Sequence, residues 1–155
     1  MSFTTGGLFL RESRLIATQF LTLGNWDDVR NHVITDNLLQ SRTQASLKRV
    51  CREVISRLQT LSQDEVEFLV EGSDKDRAYL LWIACCRQYK FVSEFALEVL
   101  HEHYVTLKFD VTHEDFDLFF NRKADWDQDL EAITPSTKKK LRQVLFRIMR
   151  EADLV

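Results

Sequence analysis

Apolar side chains recur every three or four positions through most of the chain, which is the period of an amphipathic α-helix. The clearest case is the segment Arg42–Leu61, with the sequence RTQASLKRVCREVISRLQTL. Its apolar residues are Leu47, Val50, Cys51, Val54, Ile55, Leu58 and Leu61, and its basic face holds Arg42, Lys48, Arg49 and Arg52. The pattern predicts a helix with one buried face and one basic face. A DNA-recognition helix has this pattern and so does an ordinary solvated helix, so the segment alone leaves both interpretations open.

Helical periodicity and capping residues predict further helices on both sides of this segment. We expect them at Phe9–Leu23 and Trp26–Thr35, from Ser62 to Gly72, at Lys75–Tyr89, from Ser93 to about Val105, from Thr112 to about Lys123, at Asp127–Ala132, and from Thr134 to about Ala152. The chain contains one proline and four glycines, too few for the turns that hairpins and βαβ units need. The predicted fold class is therefore all-α, a compact multi-helix bundle of eight or nine helices.

The length of 155 residues suits a single domain spanning 1–155, with an N-terminal lobe at 1–72 and a helix-turn-helix-like lobe at 106–155. The longest apolar run, Ala78–Cys86, lies in the helix predicted at Lys75–Tyr89. We expect this helix to be the most buried one. Its expected core residues are Tyr79, Leu80, Trp82, Ile83 and Cys86. A bilayer-spanning helix needs about 20 apolar residues, so no membrane partner is predicted.

The cysteines and the N-terminus indicate the compartment. The three cysteines include the adjacent pair Cys85 and Cys86 but no CxxC motif. Such usage is typical of reduced proteins rather than of a disulfide framework. The N-terminal residues lack the basic region and apolar core of a secretory signal. We therefore predict a cytoplasmic location.

The formal net charge of −3 conceals an uneven distribution of charge. Residues 1–61 hold 8 basic and 5 acidic side chains, residues 62–134 hold 7 and 17, and residues 135–155 hold 6 and 2. The C-terminal helix repeats the design of Arg42–Leu61, with one apolar face and a basic one. Its basic residues are Lys138, Lys139, Lys140, Arg142, Arg147 and Arg150. Basic side chains concentrated on two helices suit a polyanion, so both basic sets are the predicted DNA-binding residues.

No motif of a familiar active site is visible in the sequence. A phosphate-binding P-loop, a dinucleotide-binding glycine loop and a nucleophile elbow are all missing. His101 and His103 lie two positions apart on a predicted helix, about 200° around its axis, so they cannot share a metal ion. We predict that the protein is not an enzyme and that it has no catalytic residue, no metal site and no cofactor.

Two further patterns have structural explanations. The tryptophans Trp26, Trp82 and Trp126 are expected to fill core positions and contacts between lobes, since the indole ring is large and apolar.

Three carboxylates, Glu94, Glu98 and Glu102, recur every four residues on one predicted helix, which is typical of a solvated face. Docking of a basic partner is the other interpretation of this acidic stripe.

Four segments that follow one another along nearly the whole chain match a known family. They are MSFTTGGLFLRES, GNWDDVRNHVITDNLLQSRT, SLKRVCREVISRLQTL and TPSTKKKLRQVLFRIMREADLV. Together they resemble the BrxA proteins of bacterial BREX phage-exclusion systems. The resemblance implies a small all-helical cytoplasmic protein similar to the NusB antitermination fold. It also implies binding of double-stranded DNA and a role beside a methyltransferase, an ATPase and a phosphatase-like protein in defence against phage.

Three functions are therefore under consideration. The first is a non-enzymatic DNA-binding component of a BREX system, with double-stranded DNA and other BREX components as partners. The second is a protein–protein adaptor, whose basic helices dock acidic surfaces and whose acidic middle recruits a basic partner. The third is an RNA-binding factor, which only the NusB-like fold suggests, and a fold alone is weak support for a function.

Overall fold

The computed structural model describes Phe3 and residues 6–155 of the chain. Within that part, the secondary structure consists of nine helices and no strand. They are α1 (Leu10–Leu23), α2 (Trp26–Thr35), α3 (Gln44–Leu58), α4 (Gln63–Glu71), α5 (Asp74–Gln88), α6 (Lys90–Phe95, continued by a π-helical turn at Ala96–Leu100 and by His101–Val105), α7 (His113–Ala124), α8 (Gln128–Glu131) and α9 (Pro135–Glu151). The all-α prediction is confirmed. The likeness to the NusB fold stays a prediction.

The predicted start of α6 at Ser93 is wrong. The helix begins at Lys90, after Tyr89, which is extended and makes no side-chain cap. Burial of Phe91 and Val92 stabilises this first turn instead, and Ser93 lies half-buried inside the helix. A residue that can cap a helix is only a local signal, which the burial of apolar side chains overrides here.

The helices form two compact units. The N-terminal unit is Leu8–Gln88 and contains α1 to α5. The C-terminal unit is Tyr89–Val155, containing α6 to α9, together with Phe3, Gly6 and Gly7. The single domain 1–155 and the lobes at 1–72 and 106–155 stay predictions.

In the N-terminal unit, α3 packs against α1, α2 and α5, and α1 also contacts α4. Side chains from all five helices fill the core between them. The buried residues include Ile16, Ala17, Val29, Val33, Leu47, Cys51, Val54, Ile55, Leu58, Val66, Leu69, Leu81 and Ala84. Contacts on several sides fix the axis of α3, and with it the positions of the basic residues that this helix carries.

Helix α5 buries six of its fifteen residues, no more than α3 does, so the prediction that it is the most buried helix is not confirmed. Its buried face also differs in part from the predicted one. Leu81 and Ala84 are fully buried, whereas Tyr79 and Ile83 are 37% and 41% exposed. An apolar run that continues around the helix gives no periodic signal for its buried face, so the neighbouring helices decide it. No helix in the described part of the chain is both long enough and apolar enough to cross a bilayer.

A buried arginine joins the end of α4 to α5. Arg77 is 3% exposed and donates hydrogen bonds to the carbonyls of Leu69 at 2.8 Å and Gly72 at 3.0 Å. The last carbonyls of a helix have no partner within the helix, and the guanidinium group supplies the missing donors. The side chain therefore has a structural role and is not available to an external ligand.

The core of the C-terminal unit is an aromatic cluster. The ring of Phe119 lies edge-on to Phe91 and Phe95, with centroids 5.1 and 5.3 Å apart. The ring of Phe3 packs against Phe91 at 5.9 Å. Leu141 and other apolar residues of α9 are also buried in this unit. Edge-to-face arrangements of this kind add to the stabilisation from burial.

The interior position predicted for Trp126 is wrong. This residue lies between α7 and α8 and is 91% exposed. Trp82 is half-buried, and Trp26 stacks on Phe20 with ring centroids 4.0 Å apart. The short connection between α7 and α8 leaves few neighbours to cover the indole ring of Trp126. Residue type alone does not predict this exposure.

Candidate nucleic-acid interface

The N-terminal basic surface consists of Arg42, Lys48, Arg49 and Arg52, just before and along the first turns of α3. The helix starts after Thr43, whose hydroxyl accepts a hydrogen bond from the N–H of Ser46 at 3.1 Å. All four basic side chains are exposed. None of them forms an ion pair with another residue that the structure describes, so their charges can act on an external anion.

A partly buried ion pair lies on the same helix, on the side facing the core. Arg57 is 1% exposed, and its Nη2 lies 3.3 Å from Oε1 of Glu53. The guanidinium carbon of Arg57 also sits 5.3 Å from the centroid of the Phe9 ring. Burial raises the pKa of Glu53, although the charges of Arg57 and Arg52 oppose this. Arg57 therefore anchors α3 and takes no part in the basic surface.

The C-terminal basic surface consists of Lys139, Lys140 and Arg150 of α9. The helix starts after Thr134, with Pro135 in its first turn, where a missing N–H costs nothing. The three basic side chains are exposed and have no ion-pair partner within the described ranges. This surface belongs to the C-terminal unit and the N-terminal basic surface to the other unit.

The other three predicted DNA-binding residues of α9 are paired within their own unit. Lys138 lies 3.4 Å from a carboxylate oxygen of Asp117 on α7, and Arg142 lies 3.3 Å from the other oxygen. Arg147 lies 2.9 Å from Glu151, one turn further along α9. The spacing of this last pair is visible in the sequence, since residues four apart face each other on a helix. The part played by Asp117 depends on how α7 packs, which the sequence does not show.

Unpaired basic side chains are concentrated on the two basic surfaces. Most other lysines and arginines of the described chain lie within 4.0 Å of a carboxylate. They are Arg11, Arg30, Arg57, Arg77, Arg87, Lys90, Lys108, Arg122 and Lys123. Outside the two basic surfaces, only Arg14 and Lys75 lack such a partner among the residues with described positions. The chain thus neutralises most of its cations itself and leaves those of the two basic surfaces exposed and without an ion pair among the described residues.

The connections that precede the two basic helices differ. Helix α3 follows α2 after residues 36–43, where the Asn37 side chain accepts from the N–H of Ser41 at 2.9 Å and donates to its carbonyl. Helices α7, α8 and α9 follow one another through residues 125–127 and 132–134. The short connections of the C-terminal unit are of the length found in helix-turn-helix motifs, and the connection before α3 is longer. The helix-turn-helix assignment stays a prediction.

The histidines, cysteines and carboxylates of the described chain are the candidates for binding a metal ion and, in the case of the thiols, for acting as nucleophiles. No three His, Cys, Asp or Glu side chains of the described residues are placed to hold a metal ion together. His101 is exposed, whereas His103 is buried. Burial raises the pKa of Cys85 to about 11 and that of Cys86 to about 12. Both thiols are therefore protonated near neutral pH and are poor nucleophiles.

Comparison with known proteins identifies relatives along the whole chain. The family model named BrxA matches residues 1–155. The "BREX protein BrxA" of Escherichia coli O9:H4 (strain HS) is 27% identical over 150 residues, which cover 97% of this chain and 70% of the relative. The protein of the same name from Bacillus cereus (strain H3081.97) is 26% identical over 125 residues, which cover 81% of this chain and 62% of the relative. The match thus spans about two thirds of the length of these relatives.

A solved structure has the same fold. The crystal structure of an uncharacterized protein from Magnetospirillum magneticum superimposes with a TM-score of 0.75 at 24% identity. The match covers 95% of this chain and 76% of the other.

The family model extends over every residue of the chain, and the resemblance that the sequence segments suggested is confirmed. The protein belongs to the BrxA family.

Proposed function

We propose that the protein is a non-enzymatic component of a BREX phage-defence system that binds double-stranded DNA through its two basic surfaces. The observation that carries this proposal is the concentration of unpaired, exposed cations on α3 and α9, while most other cations of the described chain are paired. Membership of the BrxA family and the names of its relatives support the defence role. The same family membership motivates a cytoplasmic location and other BREX components as partners.

Binding would proceed through the phosphate backbone. Each lysine or arginine that approaches a phosphate releases condensed counterions from the duplex, and this release favours association. Such contacts position a protein on DNA without reading its sequence. The paired residues Lys138, Arg142 and Arg147 contribute less in this scheme, because a phosphate must compete with Asp117 or Glu151 for them.

Titration of the protein with three nucleic acids tests the proposed ligand. Fluorescence polarisation with labelled duplex DNA, single-stranded DNA and RNA of equal length is measured at the same low ionic strength. We expect the duplex to bind most tightly, because its phosphates are denser than those of a single strand. Tighter binding of RNA would instead favour the NusB-like RNA-binding factor. Failure of all three nucleic acids to bind would favour the adaptor.

A further inference from the structure

The connection between α6 and α7 exposes much apolar side chain. Tyr104 and Val105 at the end of α6 are 79% and 63% exposed, and Leu107 and Phe109 in the connection are 71% and 84% exposed. Leu118 on α7 is 63% exposed. Single exposed apolar residues are ordinary, but four exposed apolar residues within the six positions 104–109 form a group of the kind that marks an interaction site.

The backbone at Leu107 is strained. Its φ of 57° lies in the left-handed region, which is unfavourable for residues with a Cβ atom and favours glycine or asparagine. The Leu107 N–H donates to the Tyr104 carbonyl at 3.2 Å, and the Lys108 N–H donates to the His103 carbonyl at 2.8 Å, which ends α6. A glycine would end the helix with less strain. Termination of the helix therefore does not explain why a leucine extends into solvent here.

The unpaired charge around these apolar residues is negative. Residues 97–118 contain six carboxylates and one lysine. The lysine, Lys108, lies 3.2 Å from Asp115 and is neutralised by it. Glu102, Asp110 and Glu114 are exposed and have no ion pair with any described residue. A partner of this surface must therefore bring positive charge.

A cavity of about 260 Å³ opens between α6 and α7 beside the exposed apolar residues. Glu102, His103, Leu118 and Phe119 are among its lining residues. The Nδ1 atom of His103 is buried and makes no hydrogen bond within the described structure. A buried polar atom without a partner is rare in folded proteins and calls for an explanation. The lining also holds two ion pairs, Lys108 with Asp115 and Arg122 with Glu98. The cavity has room for one side chain, and the carboxylate of Glu102, which pairs with no described cation, favours a cationic one.

We propose that Glu102, Tyr104, Leu107, Phe109 and Leu118, called here the acidic apolar surface, bind a positively charged amphipathic helix of a partner protein. The apolar face of that helix would cover the exposed leucines and aromatic rings. A lysine or arginine beside this face would enter the cavity and pair with Glu102. A second copy of the chain joined through the same surface would bring like charges together, which disfavours it.

This binding activity does not rest on the proposed function. The DNA-binding proposal uses cations of α3 and α9, and none of them belongs to the acidic apolar surface. The two proposals can therefore fail separately. Together they describe an adaptor that holds DNA with its cations and a basic partner with its carboxylates.

Peptide titration tests this inference. The full chain is titrated with a fluorescently labelled amphipathic helical peptide of leucine and lysine, and with a matched peptide in which glutamate replaces every lysine. We expect the lysine peptide to bind and the glutamate peptide not to bind. Phe109→Ser and Leu107→Asn should each weaken binding of the lysine peptide at least about tenfold, as expected for central apolar contacts.

Two controls keep this test decisive. Asparagine tolerates the left-handed region, so Leu107→Asn should unfold at the same temperature as the wild type or a higher one. Phe68→Asn removes an apolar side chain that is 52% exposed on α4, in the N-terminal unit, and should leave peptide binding unchanged. All three variants should bind duplex DNA as the wild type does.

Three results would overturn the inference. Equal affinity for the two peptides would show that charge does not select the partner. Wild-type affinity of both Leu107→Asn and Phe109→Ser would place the peptide elsewhere. A wild-type dimer that Phe109→Ser dissociates, measured by light scattering, would make a second copy the occupant.

Discussion

Reversal of the charges of Arg49 and Arg52 will weaken duplex binding by at least about a hundredfold at low salt, because two attractive phosphate contacts become repulsive. Both side chains are exposed and form no ion pair with any described residue, so Arg49→Glu and Arg52→Glu together should leave the fold intact. Polarisation titration of labelled duplex with the double variant measures the loss. Circular dichroism and the thermal unfolding midpoint of the same sample establish that the variant is folded.

A control with the same change in net charge separates position from total charge. Arg14 and Lys75 are the unpaired cations of the described chain outside the two basic surfaces, and they lie in the same unit as Arg49 and Arg52. Arg14→Glu with Lys75→Glu should weaken duplex binding by only a few-fold, through the long-range field. Equal losses of duplex affinity in the two double variants would show that the N-terminal basic surface is not a specific contact site for DNA.

Replacement of Arg57 by leucine will lower the free energy of unfolding by about 3 kcal/mol, the usual cost of leaving a buried charge without its partner. Arg57 is almost wholly buried, and its removal leaves Glu53 without the cation that offsets its burial. The contact of the guanidinium with the ring of Phe9 is lost as well. Urea denaturation followed by circular dichroism measures the change.

Two further variants identify the cause of that loss. Arg52→Leu alters an exposed cation of the same helix and should change the free energy of unfolding by less than about 0.5 kcal/mol. Glu53→Gln combined with Arg57→Leu removes both charges and should be more stable than Arg57→Leu alone. A double variant that is less stable than the single one would show that packing of Arg57, and not its charge, stabilises α3.

The helices were predictable from sequence because their signals are local. Asn25 caps α2 by accepting from the N–H groups of Asp27 and Asp28, and α2 spans the residues that the periodicity predicts. Ser62 and Glu65 form the capping box expected at the start of α4. Both devices act within one turn of a helix, so residue type and spacing are sufficient to find them.

Features that depend on tertiary packing were not predictable. Asp117 neutralises Lys138 and Arg142 only because α7 lies against α9. In the sequence these partners are more than 20 positions apart, so no local spacing rule connects them. The prediction that Glu94, Glu98 and Glu102 form a solvated face is confirmed only in part. Glu98 binds Arg122 and Lys123 of α7, and the hydrogen bond from Lys123, together with the charges of both cations, lowers the pKa of Glu98.

The candidate site was predictable in outline. The basic faces of α3 and α9 follow from helical periodicity, and their exposed residues lie where that periodicity indicates. Which of those cations are paired does not follow from it. Charge alone also does not predict the burial of Arg57, because the sequence gives this residue the same charge as the exposed cations of α3.

The dependence of duplex affinity on salt shows whether the exposed cations of the two basic surfaces bind the phosphates of double-stranded DNA. If most of these cations contact a phosphate, the logarithm of the association constant should fall linearly with the logarithm of the salt concentration, with a slope of about −4 to −6. Affinity that does not change with salt, or no binding at the lowest salt concentration, would show that these cations do not bind the duplex.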